Sequence, residues 1–250
     1  MRNYIVPCCL LYFSLFSRPA VCGSVEVAAS PLLVVHGGAG SLSPEYYEGK
    51  LRGVKEAVRA GYKVLRETQS PLEAVEAAIK VMEDNPDFNA GRGSKLNIFG
   101  EVEMDASIME GRTCEAGAVA SVGGLRHPIS AARHVMENTS HVLLVSRGAE
   151  RLAARWGLEE TGEDWLVTEH SRELLEEFLR QHNITHLQGE ERWEAECLAQ
   201  QTGSGTVGAV AYYGGEIAAG TSTGGITGKL PGRVGDSPLV GQGVFADNER

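Results

Sequence analysis

The sequence predicts a mixed α/β (α+β) fold in which helices cover packed sheets. Three observations point there. Short β-rich runs alternate with longer stretches of helical apolar spacing, and the strands come largely in pairs joined by glycine turns. No internal repeat of about 20–50 residues suggests a solenoid or propeller.

Taken in order, Leu32-Leu33-Val34-Val35 is an apolar run that breaks into His36-Gly37-Gly38-Ala39-Gly40, a buried strand entering a tight loop. Residues 44–67 place Leu51, Val54, Ala57, Val58, Gly61, Tyr62 and Leu65 on one helical face. Ser70-Pro71 with Glu73 starts a second helix, Ala74, Val75, Ala78, Ile79 and Met82 continue its apolar face, and Asn85-Pro86-Asp87 ends it. Asn89 to Ser94 is a loop. Lys95–Phe99 and Val102–Met109, joined at Gly100-Glu101, read as a hairpin. Ala116–Val122 is a small-residue strand, Pro128–Glu137 a helix, His141–Val145 a strand and Gly148–Trp156 a short helix. From about 159 to 205 the composition turns polar, with an exposed helix around Ser171–Arg180 and a flexible linker at its end. Thr206–Tyr212, Gly214-Gly215 and Glu216–Ser222 form a second hairpin.

Composition narrows the function classes. Of 250 residues 31 are glycine, well above the usual ~7%, yet no Gly-X-Y period accompanies them. The glycines therefore serve turns and close backbone approaches. A net charge of -10 argues against an extended nucleic-acid or anionic membrane surface, which needs clustered Lys and Arg. Residues 1–22 carry Arg2, an apolar run from Tyr4 to Phe16 and Ala20-Val21-Cys22. That pattern reads as a cleavable secretory signal or as a functionless apolar extension. Three of the five cysteines lie there, so Cys114 and Cys197 alone define no metal framework.

Familiar catalytic patterns fail. Ser43 stands where a dinucleotide loop needs its third glycine, Thr223 and Leu230 break a P-loop, and neither H-E-x-x-H nor G-x-S-x-G occurs. What remains is a polar linker ending at Gly205, immediately before a strand that opens on Thr206. One reading is a loop entering a strand. The other is a self-cleaving junction, in which Thr206 becomes a new N-terminus and its α-amine, with a pKa of about 7.7–8.0, serves as base for its own hydroxyl. Gly205 suits that reaction, because no side chain blocks attack on its carbonyl.

Seven segments carry a family resemblance: Val35–Gly40, Phe88–Gly93, Glu103–Met109, Ala116–Val119, Gly205–Val210, Thr221–Gly225 and Pro231–Pro238. In these the chain resembles the plant-type asparaginase and isoaspartyl-peptidase family of N-terminal-nucleophile hydrolases, from about residue 32 onward and in the family's order. The resemblance implies a four-layer αββα sandwich. It implies cleavage between Gly205 and Thr206 into an α portion (residues 23–205, with a linker over about 159–205) and a β portion (residues 206–250). Thr206 would be the nucleophile, Thr223 the second threonine bonded to it, and Asn89 a neighbour that helps position it. Arg233 and Asp236 would clamp the α-carboxylate and α-amine of an amino-acid or dipeptide substrate, one cation and one anion for a zwitterion. The main-chain carbonyls of Met82, Glu83, Asn85, Phe88, Ala90 and Arg92 would hold a structural sodium ion, with no cofactor for catalysis. Pairing of the αβ unit as a homodimer is also implied.

The resemblance further leads one to expect a Thr-Thr-Gly oxyanion element beyond a segment such as Phe245-Ala246-Asp247-Asn248. The sequence ends at Arg250, so the expectation is an incomplete sandwich and a poorly active or unstable polypeptide. Alternatives are an impaired isoform that binds full-length subunits, and a glycosylasparaginase-like amidase. Location follows the same division: cytoplasmic by the asparaginase branch, secretory or lysosomal if residues 1–22 act as a signal.

Overall fold

The computed structural model describes residues 30–39, 44–197 and 205–249. The leader at 1–22 and most of the stretch just before Gly205 lie outside these.

Six strands form one sheet in the order β1-β5-β6-β2-β3-β4. They are β1 (Leu32–His36), β2 (Met104–Glu110), β3 (Ala116–Val122), β4 (Leu143–Val145), β5 (Val207–Tyr213) and β6 (Glu216–Thr223). Every neighbouring pair is antiparallel except β3–β4. The hairpin that follows Thr206 is therefore inserted between β1 and β2, and the Gly205–Thr206 bond joins two segments of a shared sheet.

Helix α1 (Pro44–Thr68) packs on α2 (Pro71–Asp84), and α2 lies against β5 and β6. Local chemistry sets the bounds of α2: Ser70 caps it by accepting from Glu73 N–H, Pro71 opens it, and Asn85 leaves the helix in an extended conformation. Its buried face is Ala74, Val75, Ala78, Ile79 and Met82, with the Glu83 carboxyl at the end. Helix α3 (Pro128–Asn138) covers β3 and β2. It comes so close that a Cβ on Gly117 would sit 2.2 Å from Ala132 O, so only glycine allows the approach. On the opposite face of the sheet, Met109 and Ala219 meet Val244 and Ala246. The observed layers are thus helices on one face of the sheet and the returning C-terminal segment on the other. The architecture is mixed α/β and consistent with the sandwich.

Three elements differ from expectation. Lys95–Phe99 is not a strand; it makes isolated bridges, Leu96 with Val102 and Asn97 with Lys229, because the Asn97 side chain accepts from Phe99 N–H and Glu101 N–H and turns the chain. Strand β4 starts at Leu143 rather than His141. The stretch 159–205, expected as linker around one exposed helix near Ser171–Arg180, carries that helix as α6 (Glu169–Gln181) together with α5 (Glu163–Leu166) and α7 (Gly189–Cys197), after α4 (Ser146–Arg155). Leu166, Leu175, Phe178, Leu179 and Ile184 are buried there. Apolar residues spaced three to four apart among many charges lower the mean hydropathy without removing the buried stripe.

Candidate active site

Strand β5 brings Thr206 to the end of the sheet, and the β5–β6 register, which pairs Val207 with Ser222, sets Thr206 opposite Thr223 when extended by one residue. The loop after β1 closes on the other side: a Cβ on Gly38 would lie 3.2 Å from Gly205 Cα. His36 fills the space above Gly208, where an added Cβ would lie 2.4 Å from its Nε2. Burial holds the His36 imidazole below its ordinary pKa, against the opposing pull of a hydrogen bond with the Thr206 backbone.

Asn89 reaches the same point from the loop after α2. It is buried, donates from Nδ2 to Gly225 O at 2.8 Å, accepts at Oδ1 from Lys95 N–H at 2.9 Å, and its carbonyl accepts from Gly224 N–H at 3.0 Å. A Cβ on Gly205 would touch the Asn89 side chain at 3.1 Å. The Asn89 loop, Gly205 and the Gly224-Gly225 turn are therefore one packed unit, held by polar groups whose partners are all protein atoms.

Thr223 Oγ1 accepts from Gly225 N–H at 3.0 Å, while Thr206 Oγ1 lies 3.2 Å from Ser237 Oγ. Ser237 follows Asp236, so this contact brings the 231–238 segment to Thr206. Arg233 arrives with it: a Cβ on Gly225 would be 3.3 Å from Arg233 Nη1 and 3.0 Å from Lys229 Nζ. Gly225 has φ of +76°, a conformation that side chains resist, and its bareness admits both cations. Asp236 is exposed and Arg233 half-buried, so the pair faces solvent from the rim of the site.

Lys229 supports this rim from beneath. It is fully buried and donates to Glu103 O at 2.5 Å and Gly224 O at 3.1 Å. Burial lowers the pKa of its ammonium, Asp105 and Glu103 pull it back up, and Arg233 adds to the lowering. The same two acids staple the loop: Glu103 accepts from Gly232 N–H at 2.9 Å and Asp105 from Gly235 N–H at 3.1 Å. Helix α6 covers the turn, with Phe178 so close to Gly228 that an added Cβ would lie 2.2 Å from its ring.

The expected sodium loop curls at the end of α2. The carbonyls of Met82, Glu83 and Asn85 each accept one N–H, from Asn85, Arg92 and Phe88. A Cβ on Gly93 would lie 2.5 Å from Pro86 O and 2.8 Å from Phe88 O. Carbonyl oxygens are the donor type that a hard monovalent ion takes, and each keeps a second lone pair beside its hydrogen bond. Beside the loop the Glu83 carboxyl is fully buried, and burial raises its pKa despite bonds from His127 (3.2 Å), Ser222 Oγ (2.7 Å) and Ile129 N–H (3.0 Å).

Comparison with known proteins gives the family of the chain. A family model described as asparaginase matches residues 29–250. An isoaspartyl peptidase/L-asparaginase of Danio rerio is 46% identical over 221 residues, covering 88% of this chain and 67% of the relative. A plant-type L-asparaginase of Pyrococcus abyssi is 49% identical over 220 residues, 86% of this chain and 70% of the relative. The Homo sapiens isoaspartyl peptidase/L-asparaginase is 46% identical over 222 residues, 88% and 68%. The fold and site define a mixed α/β hydrolase. The chain belongs to the asparaginase family.

Sequence reasoning assigned no role to His36, Ser107, Thr221, Lys229 or Ser237. His36, Ser107, Thr221 and Ser237 all lie inside the family segments, so the signal was present without a geometry to separate them from scaffold. Lys229 had the signal of a lone lysine in a glycine-rich turn, which a sequence alone reads as solvent-exposed.

Proposed function

We propose that this chain is an autocleaving threonine hydrolase that hydrolyses L-asparagine to L-aspartate and ammonia and cleaves isoaspartyl (β-aspartyl) dipeptides. The observation that carries the reading is the convergence of four separate segments on the Gly205–Thr206 bond: the loop after β1, the Asn89 loop, the end of β6 and the 231–238 segment.

Cleavage frees the Thr206 α-amine, which takes the proton as Thr206 Oγ1 attacks the side-chain carbonyl of the substrate. The bond to nitrogen breaks, ammonia or the dipeptide's amine leaves with a proton, and water hydrolyses the acyl ester to free Thr206. Arg233 and Asp236 hold the α-carboxylate and α-amine, and Asn89 fixes the turn behind Thr206. The α and β fragments stay together because β5 and β6 remain between β1 and β2, and the αβ unit pairs as a homodimer. The carbonyls of Met82, Glu83, Asn85, Phe88, Ala90 and Arg92 would hold a sodium ion, which would stabilise the neighbouring Asn89 loop. Light scattering tests the pairing, and a thermal midpoint that rises with sodium but not with choline tests the ion.

The main test is electrophoresis of the purified chain with release assays on L-asparagine and a β-aspartyl dipeptide. Wild type is expected as two fragments divided at Thr206, with aspartate and ammonia released, whereas Thr206→Ala stays whole and inactive. A wild-type chain that remains whole after prolonged incubation rules the reading out.

A further inference from the structure

We propose that Ser237 is a catalytic residue of the self-cleavage, its hydroxyl holding Thr206 Oγ1 in the orientation from which it attacks the Gly205 carbonyl. The inference deepens the reading of Thr206 as nucleophile and rests on it.

The geometry is specific. Ser237 Oγ lies 3.2 Å from Thr206 Oγ1, with Ser237 1% exposed and Thr206 half-buried, so the serine side of the pair is shielded from water. The Ser237 main chain is clamped independently: its carbonyl receives Ser107 Oγ at 2.6 Å and Thr221 Oγ1 at 2.8 Å. Ser107 and Thr221 are register partners on β2 and β6, at the centre of the sheet, with their hydroxyls 3.0 Å apart. Each hydroxyl has one proton, so the two protons of Ser107 and Thr221 are used up among themselves and that carbonyl. The Ser237 hydroxyl is left for Thr206. A rigid sheet thus presents one buried hydroxyl to the reacting oxygen.

The need is greatest before cleavage. In the uncut chain the Thr206 nitrogen is an amide, so the α-amine that later serves as base does not yet exist. Oγ1 must bond to the Gly205 carbonyl carbon while the bond from that carbon to Thr206 nitrogen breaks. The hydroxyl proton ends on the nitrogen, leaving an ester and a free amine. Water then hydrolyses the ester to the Gly205 carboxylate and the Thr206 hydroxyl. A threonine side chain has three staggered orientations, and an accepted hydrogen bond from its O–H selects one and leaves the Oγ1 lone pairs unengaged.

The experiment follows fragment formation over time in the full chain, with thermal unfolding alongside. Ser237→Ala is expected to slow cleavage by about 10–100-fold with little change in thermal midpoint. Ser237→Thr, which keeps the hydroxyl, should stay within about threefold of wild type, and Ser107→Ala should slow cleavage less than Ser237→Ala. Should Ser237→Ala fail to fold, Ser237→Cys, close in shape and a weaker hydrogen-bond acceptor, gives the intermediate rate expected. Cleavage of Ser237→Ala at the wild-type rate overturns the inference, as does an equal slowing of Ser237→Ala and Ser237→Thr, which would assign the effect to packing. Absence of cleavage in wild type overturns the nucleophile reading itself, and is thereby distinguishable.

Discussion

The end of the sheet at Thr206 and the ion pairs of Arg126 and Arg133 beside α3 use polar residues in opposite ways. Around Thr206, Asn89, Ser107, Thr223, Lys229 and Ser237 are buried, and each is bonded to protein. Around α3, Arg133 bonds Glu76 and Glu137 at 2.7 Å, and Arg126 bonds Asp84 and Glu159 at 2.8 Å, all with side chains partly in solvent. Removing a polar group from water without a partner costs on the order of 1–3 kcal/mol, whereas a surface ion pair contributes little. Buried polar groups are therefore retained where a geometry must be fixed. The difference marks the 224–237 region as the site and the α3 ion pairs as a solvated surface.

The comparison can be broken by substitution. The largest effect is expected at Lys229: Lys229→Met leaves Glu103 O and Gly224 O short of a donor and Asp105 without a buried cation. The expected loss is about 3–5 kcal/mol in denaturant unfolding, with impaired cleavage at Thr206. A loss below ~1 kcal/mol would mean that the buried network supports neither fold nor site. A smaller effect is expected at His36, and it depends on pH. Its folded pKa lies below the ordinary 6.5, so the unfolded chain binds the proton more readily. Stability therefore falls as pH drops below about 6.5 toward the folded pKa, and His36→Gln should remove that part of the slope between wild type and variant. The smallest effect is expected on the surface. Glu137→Ala, at an exposed i,i+4 pair with Arg133, should change stability by less than ~0.5 kcal/mol and leave cleavage untouched. A large effect there would erase the distinction between the two regions.

Much of the fold was legible in the sequence for local reasons. The cap at Ser70, the proline at 71 and the apolar face through Met82 specify α2, and glycines at 214 and 215 specify the turn between β5 and β6. The hairpin over 95–109 misled because its alternation is that of a strand, yet Asn97 satisfies the backbone N–H groups that a partner strand would have taken. In the 159–205 stretch the helix near Ser171–Arg180 was legible but its burial was not, because few apolar residues suffice for a helix lying on an existing core, as Phe178 does over Gly228. Within the site, residue types were legible and partners were not. Thr223 accepts from Gly225 N–H, and the contact of Thr206 Oγ1 with Ser237 Oγ was not foreseen.

By itself the sequence determined the class of architecture, the positions of α1, α2, α3, β1, β3, β5 and β6, and the candidate residues Asn89, Gly205, Thr206, Thr223, Arg233 and Asp236. Those follow from periodicity, capping, turn chemistry and family motifs, all of which act over a few residues. The tertiary structure alone decided that β5 and β6 insert between β1 and β2, that Lys229 is buried, and that Ser107, Thr221 and Ser237 form one hydroxyl cluster. Ser107 and Ser237 are 130 residues apart in the chain and 2.6 Å apart in space. No local propensity encodes such a contact; it exists because sheet register and burial bring the two segments together.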